Sequence, residues 1–550
     1  MPPLRPHTQR IDISTQACDL CRKRKVKCQL PGSPSGAPNS RCARCERLNR
    51  PCTFLAPCKT RGPKKRSQTS VVQAVVQQPP PANDSHRKAG ICAADDLCEQ
   101  TLFHRIMQDY LDHVYPLVPI VHRPSFQECL RRGRHEEDTG FLALTVAIAA
   151  VVVATMPSKF RSYRSHDPPL RFATRREMVR FCYEKNLGLR TSYYFDEINF
   201  QKFAASFLLF AAFLQLGDHN RARMLDVESM QFARLLNLHS ISAYDGLNCI
   251  ETQLRKKGFW LVFYGFVHSQ LQNMLGERLS YLDPVQLQLI NPDDLMPLEV
   301  DDEFIFEHEV LMPPVPTSCL TTGFNIHSRV FWAAIRSPHP KNGLPEPCAC
   351  VRAQDTDVRV AYLRDRLQCM RNLLHDVPPS LRLWVVSGNS CLQDLASDEF
   401  SALLRSSFES MRVNIHVTHL WLQSLLLDQL EASQAAQGLS AADSPGLHTS
   451  LADTRVLWRT REELCRQLFF LLYNVPELNL EINGLHLAYK VRDIASVMLT
   501  CPFQASEPEA ERAAEYIRLA TEILSRLDTS ESVNTMNLQA WVDTDRIRPA

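Results

Sequence analysis

Six cysteines near the N-terminus, Cys18, Cys21, Cys28, Cys42, Cys45 and Cys52, follow the spacing C-x2-C-x6-C-x13-C-x2-C-x6-C, so one C-x2-C-x6-C unit occurs twice. Thiolates hold Zn2+ tetrahedrally, four ligands to each ion. Two ions need eight ligand positions, and six thiolates supply eight only when two of them bridge both metals. The repeat therefore predicts a binuclear cluster with two Zn2+ per chain. Two such ions and six thiolates leave a net formal charge of about −2. Arg22, Lys23, Arg24, Lys25 and Lys27 stand between the second and third cysteines. Those cations offset the cluster and remain available to phosphate.

Two other uses of the cysteines are weaker. A disulfide framework is disfavoured because the N-terminal MPPLRPHTQRIDIS has no apolar export region. A redox C-x2-C pair needs no second copy at the same spacing. Cys58 has no place in the eight-ligand count and is read as a spare thiol.

Charge points to the same partner as the cations around the cluster. Residues 1–66 hold 16 Lys and Arg against 3 Asp and Glu, whereas the remainder of the chain is net acidic, so the overall charge of +2 conceals a strong asymmetry. A compact basic module on an acidic body is the electrostatic footprint of nucleic-acid binding and argues against a membrane-surface protein, and double-stranded DNA is the expected partner. A second basic run, Lys59, Arg61, Lys64, Lys65 and Arg66, follows the last cysteine and suits phosphate contact in a linker or nuclear import.

Around the module the chain divides into a disordered N-terminus (1–17), the cluster (18–52), a basic and then Pro/Gln-rich linker (53–95), two helical parts (96–310 and 354–527) joined by a Pro-rich connection (311–353), and an acidic tail (528–550). The linker is read as disordered. VVQAVVQQ is barely one heptad before Pro79, Pro80 and Pro81, so no coiled coil is evident, and a homodimer is compatible with the sequence without being required by it. From Asp96 onward apolar residues recur at three- and four-residue steps, near 141–156, 171–187, 199–239, 249–276, 354–375, 398–431, 454–474, 484–502 and 507–527. The expected fold is mainly α: a small zinc module, a disordered linker and a large all-α regulatory domain. FLALTVAIAAVVVATM, the most apolar run, would reach only about 24 Å as a helix, short of a hydrocarbon core of about 30 Å. It is read as a buried helix, with no membrane partner.

The string ACDLCRKRKVKC followed by RCARCERLNRPC resembles the fungal binuclear zinc cluster transcription factors at every cysteine. The resemblance implies that Cys18 and Cys42 bridge the metals. It implies two short helices, one after each C-x2-C, the first reading a CGG-type triplet in the major groove. By position Lys25 would meet base edges, Arg24 would contribute its carbonyl, and Arg22, Lys23 and Lys27 would meet phosphates. The loop Gln29 to Arg41 is longer than the family usually has, and Pro38 is the candidate for the proline that normally precedes the fourth cysteine. The segments YLDHVYPLVPIVHRPSF, FARLLNLH and LRKKGFWLVFYGFVHSQLQNMLG resemble the fungal middle homology region, while the run RGPKKR resembles the linkers of its maltose-activator-like subgroup, which PLEVDDEF and NLEINGLHLAYKVRDIASVML also resemble.

Within these segments the residues themselves suggest packing. Phe259, Trp260, Phe263, Tyr264 and Phe266 are expected in a core, Arg255, Lys256 and Lys257 on a solvated helix face, and His122 as a hydrogen-bonded side chain. His308-Glu309 lacks the second histidine of a zincin helix. With 18 glycines in 550 residues and no G-x-G-x-x-G, G-x-x-x-x-G-K-[ST] or G-x-S-x-G, no catalytic residues are assigned and an enzyme is not expected. The tail from Asp528 mixes acids with Met536, Leu538, Trp541 and Val542, a composition suited to coactivator grooves. The resulting expectation is a nuclear, zinc-dependent, DNA-binding transcription factor, an activator of a pathway-specific gene set in secondary-metabolite biosynthesis or carbohydrate utilisation. A DNA-bound repressor, or an enzyme fused to a DNA-binding module, is the alternative.

Overall fold

The computed structural model describes residues 18–24, 26, 28, 41–53, 96–271, 281–313, 318–335, 356–383, 399–440 and 451–527. The linker, the loop after Cys28, the Pro-rich stretch on either side of 318–335 and the acidic tail lie outside them, as do Lys25, Lys27, Cys58, Lys59, Arg61, Lys64, Lys65 and Arg66. The chain forms two compact units, residues 1–86 and 87–550.

The first unit holds two one-turn helices, α1 (Asp19–Lys23) and α2 (Ala43–Arg47). Each starts at the residue after the first cysteine of a C-x2-C pair, so Cys21 and Cys45 sit inside helices rather than ahead of them. A helix of five residues is far below the length that is stable alone in water, so something other than helix propensity must hold these turns.

Among its described residues the second unit is built of helices, several of which begin where the sequence supplies caps. Asp138 accepts from the amides of Gly140 and Phe141 at the start of α6 (Thr139–Thr155). Thr174 accepts from the amide of Glu177 at the start of α8 (Arg175–Gly188), and Asn199 from that of Lys202 at the start of α9 (Phe200–Gln215). Before α6 come α3 (Gln100–Asp109), which runs into a π-helical turn at Tyr110–Val114, then α4 (Arg123–Arg131) and α5 (Arg134–Glu137). The run read as a buried helix is α6, which is apolar on every side because α8 and α9 pack against it. Pro157 cannot continue α6 and opens α7 (Pro157–Arg164) at 107° to it. Among the described residues no single helix is long and apolar enough to cross a membrane.

The chain continues through α10 (His219–Leu235), which packs on α9, then α11 (Cys249–Leu271) and α12 (Pro284–Leu289). Inside the segment expected as a Pro-rich connection lies α13 (Leu320–Ile335), whose Leu320, Phe324, Phe331 and Trp332 are buried. Its three- and four-residue spacing is present in the sequence but hidden between prolines. The rest comprises α14 (Thr356–Asn372), the 42-residue α15 (Glu399–Ser440), α16 (Leu451–Tyr473), α17 (Glu477–Glu481), α18 (Gly484–Ser496) and α19 (Pro508–Leu527). Helix α15 contacts α13, α14, α16 and α18 and so is the spine of this half. One hydrophobic core runs from Leu97 to Leu527, joining the two helical parts that the sequence divides at 310. Among the described residues there is no strand, only an isolated antiparallel bridge between Ile305 and Val310.

Candidate metal centre and nucleic-acid interface

The two cysteine units repeat in space as they do in sequence. The amide of Cys18 donates to Cys28 Sγ at 3.4 Å, and the amide of Cys42, at the matching position, donates to Cys52 Sγ at 3.4 Å. The sulfurs of Cys18, Cys21, Cys42 and Cys45 all lie within 4.8 Å of one another. Cys18 Sγ is 3.8 Å from Cys42 Sγ and 3.6 Å from Cys45 Sγ, while Cys21 Sγ is 3.8 Å from Cys42 Sγ. Thus Cys18 of the first unit reaches a sulfur pair of the second, and Cys42 of the second reaches a pair of the first. Those are the contacts that two shared thiolates require. At about 2.3 Å from each sulfur, a tetrahedral zinc separates its ligands by roughly 3.8 Å, so the spacing fits the metal. The sulfurs are not disulfide-bonded, as their separations also show.

The thiols differ electrostatically in the same pattern. Burial works to raise Cys42, but hydrogen bonds from the backbone and thiol of Cys45 and the thiols of Cys21 and Cys18 outweigh it and bring it down to about 6. Cys18 is likewise lowered against the effect of burial, by the backbone and thiol of Cys21 and the thiols of Cys45 and Cys28. Burial and neighbouring sulfurs push Cys21 up to about 12 and raise Cys45. Burial also leads the rise of Cys28 and Cys52. The two positions that accept from both units are the two that hold negative charge most readily.

The ends of the module are tied together beside the cluster. The amide of Asp19 donates to Thr53 O at 2.8 Å, and Thr53 Oγ1 donates to Asp19 Oδ2 at 2.8 Å. Nothing in the cysteine pattern signals this clasp, since it joins the residue after the first cysteine to the residue after the last. Of the cations read as DNA contacts, Lys23 and Arg24 are exposed at the C-terminal end of α1, and Arg22 lies within that helix. Arg41, Arg47 and Arg50 are exposed around α2. These three were not singled out in the sequence, although their clustering about the second C-x2-C is visible there.

In the body, three of the segments that carry the family resemblance meet at one buried carboxylate. Asp302, from PLEVDDEF, is 2 % exposed and pairs with Lys257 Nζ at 2.9 Å, itself 3 % exposed. Tyr115 donates its hydroxyl to Asp302 Oδ2 at 2.6 Å, and the Arg123 amide donates to the same oxygen at 2.9 Å. His122 Nε2 lies 2.8 Å from the Asp302 carbonyl oxygen. Burial acts to raise Asp302, but the Lys257 charge and the Tyr115 and Arg123 hydrogen bonds hold it down to about 2. His122 is a hydrogen-bonded side chain, as expected. The solvated face expected of residues 255–257 is not found: Lys257 is buried, Lys256 donates to Met296 O at 3.2 Å and Arg255 pairs with Glu251 at 2.8 Å. Lys257 faces inward, and Lys256 is half-covered, because residues 296–302 pack over this part of α11, a segment whose packing periodicity alone does not reveal. Phe259, Trp260, Phe263, Tyr264 and Phe266 are buried, as expected.

Residues 16–62 match the fungal Zn(2)-Cys(6) binuclear cluster domain, and residues 107–326 match the fungal specific transcription factor domain. The chain carries a match to each of these two domains. The cluster domain is one that holds two zinc ions. The chain is 24% identical over 257 residues to the maltose fermentation regulatory protein MAL63 of Saccharomyces cerevisiae, a match covering 46% of this chain and 49% of that protein. It is 23% identical over 293 residues to MAL13 of the same species, covering 51% of this chain and 55% of that one. The chain thus spans about half the length of the curated relatives it matches. No solved structure matches it. The second domain match ends at 326, within α13, whereas the helical core continues to Leu527.

Proposed function

We propose that the protein is a nuclear, sequence-specific DNA-binding transcription regulator that activates a pathway-specific gene set, with no enzymatic role. The observation that carries this reading is the duplicated cysteine geometry, with Cys18 and Cys42 each reaching sulfurs of the opposite unit and exposed cations at the end of α1. Cys18, Cys21, Cys28, Cys42, Cys45 and Cys52 are the proposed ligands of two Zn2+, with Cys18 and Cys42 shared. The metals supply rigidity: they fix two short helices that cannot persist alone. Lys25 is the proposed base reader, Arg24 a contributor through its carbonyl, and Arg22, Lys23 and Lys27 phosphate contacts. Lys59, Arg61, Lys64, Lys65 and Arg66 are proposed to add phosphate contacts or nuclear import. Coactivators are the proposed partners of the acidic tail. The names of the relatives favour carbohydrate utilisation as the regulated pathway, and biosynthetic gene sets fit the same architecture.

Reading and positioning are separable by experiment. Lys25→Ala should cost about 1 to 3 kcal/mol on a CGG-containing site and little on random DNA. Replacing Lys64, Lys65 and Arg66 together should weaken all sequences alike and make the salt dependence shallower. Equal losses on specific and random DNA for Lys25→Ala would overturn its assignment. A reporter driven by the full-length chain tests activation: reduced rather than raised output makes the protein a repressor.

A further inference from the structure

We propose that the helical body binds a small monocarboxylate with a short apolar tail, in a cavity bordered by α9, α11, α13 and α18, with Lys490 as the anchor for its charge. The cavity encloses about 140 Å3. That is about the size of a void that accepts a benzene ring. Its walls are mostly apolar, from Val151, Phe207, Leu261 and Ile482 among others; its cationic and imidazole lining is Lys490, His486, His268 and His327, beside the neutral Thr155, Gln215, Asn414 and Asn483.

The charge balance of this lining points to an anion. Lys490 is 3 % exposed; its Nζ donates to Thr418 Oγ1 at 2.7 Å and lies 5.5 Å and 5.6 Å from the ring centres of Phe331 and Trp421. No carboxylate of the described residues pairs with it, and none lines the cavity. His486 Nδ1 is buried with no hydrogen-bond partner and can donate to an anion, whereas Asn483 Oδ1, also unpaired, is an acceptor that a carboxylate does not satisfy. The His486 ring stacks on that of His268, with centroids 4.3 Å apart. An ammonium taken out of water without an opposite charge is costly, and so are polar atoms left unpaired. The same body shows the ordinary remedy at Lys257, which has Asp302 2.9 Å away. Lys490 lacks that internal counter-ion, and beside it is a space of the right size for an external one. Burial lowers Lys490 to about 7, so a carboxylate arriving there would restore a full charge on the amine. The 140 Å3 of this space is small for a disaccharide, and maltose is therefore the competing class in the test.

That such a ligand acts as an effector rests on the regulatory reading above; its binding does not. The test uses full-length, zinc-loaded protein and measures thermal shift and calorimetric binding with acetate, butyrate, hexanoate and benzoate. Butyramide serves as the neutral isostere and maltose as the competing class. At least one carboxylate at about 10 mM should raise the melting temperature by mass action, with butyramide and maltose at least about tenfold weaker. Lys490→Met removes the anchor charge at nearly constant length. Gly265→Leu fills the space, because a Cβ at Gly265 meets nothing within 4 Å, and leucine favours the helix that glycine disfavours. Both variants should keep the parent's circular dichroism and lose the carboxylate shift. Absence of a shift with all four acids, an equal shift in Lys490→Met, or a maltose shift that is abolished by Gly265→Leu would each overturn the proposal. DNA binding measured on the same preparations without carboxylate separates the two readings: its failure refutes the regulator and leaves the cavity result standing.

Discussion

Among the described residues of the module the buried side chains are five of the six cysteines, whereas the body buries a continuous apolar set from Leu97 to Leu527 and hides several charged groups inside it. The difference lies in where the stabilising free energy comes from. A unit whose interior is sulfur has almost no hydrophobic reserve, so metal coordination must offset the entropy of ordering its backbone. The body has a large reserve. It can carry Lys257 with Asp302 in one place and Lys490 without a counter-ion in another, at a cost its apolar core covers.

The comparison breaks first, and most completely, on metal removal. Chelation should unfold residues 10–66 and leave the helical signal of the body nearly unchanged, as circular dichroism with proteolysis of the module would show. Native mass analysis of the reloaded module should show two zinc ions. Replacement of Cys18 or Cys42 should disrupt both ions, and replacement of Cys58 neither. A single bound zinc, or a module that stays folded in chelator, would remove the contrast.

The body should be sensitive instead to its buried charges. Lys257→Met leaves Asp302 ionised and buried, which should destabilise the body by about 3–5 kcal/mol in denaturant unfolding, with the zinc content of the module intact. Adding Asp302→Leu should recover only part of the loss, because the Tyr115 hydroxyl and the Arg123 amide then lose their acceptor. The folded-state carboxyl of Asp302 is held at about 2, below its usual value. Its contribution is therefore complete above about pH 4 and disappears as the pH falls towards 2. Asp302→Asn should flatten acid unfolding across that window.

The same contrast explains how much could be read in advance. The module was legible because ligand chemistry writes itself as residue type and spacing: the ten-residue step between Cys18 and Cys28 returns between Cys42 and Cys52, and so does the amide-to-sulfur hydrogen bond. The bridging pair came from the resemblance, and spacing alone left it open. The long helices of the body were legible from apolar periodicity, apart from α13, whose prolines on either side masked it, while the short α4, α5, α7, α12 and α17 fall outside the periodic stretches. What periodicity could not give was the far-side environment of a polar residue. Lys257 reads as solvent-facing among Arg255 and Lys256 until residues 296–302, some forty positions later, are folded over it. Lys490 and His486 lie one helical turn apart in α18, but the void that gives them meaning is made by α9, α11 and α13. Such sites depend on contacts distant in sequence, for which one chain carries no local sign.

The smallest expected effect concerns Asp226, a second uncompensated charge of the body and the opposite in sign to Lys490. It lies in α10 and is 5 % exposed. Burial pushes its carboxyl up to about 7. An acid whose folded-state value exceeds its unfolded one keeps its proton in the native state while the unfolded chain releases it. Native protein therefore binds more protons between about pH 4 and 7, and stability falls across that interval as the pH rises. The penalty is fully present above 7 and absent below 4. Asp226→Asn removes the ionisation with little change of shape, so it should stabilise the body by about 1–3 kcal/mol at pH 8 and make little difference at pH 4. Urea unfolding of parent and variant at the two pH values provides the check. Equal stability at pH 8 would mean that Asp226 meets a compensating group, and the body would then tolerate fewer uncompensated charges than its core suggests.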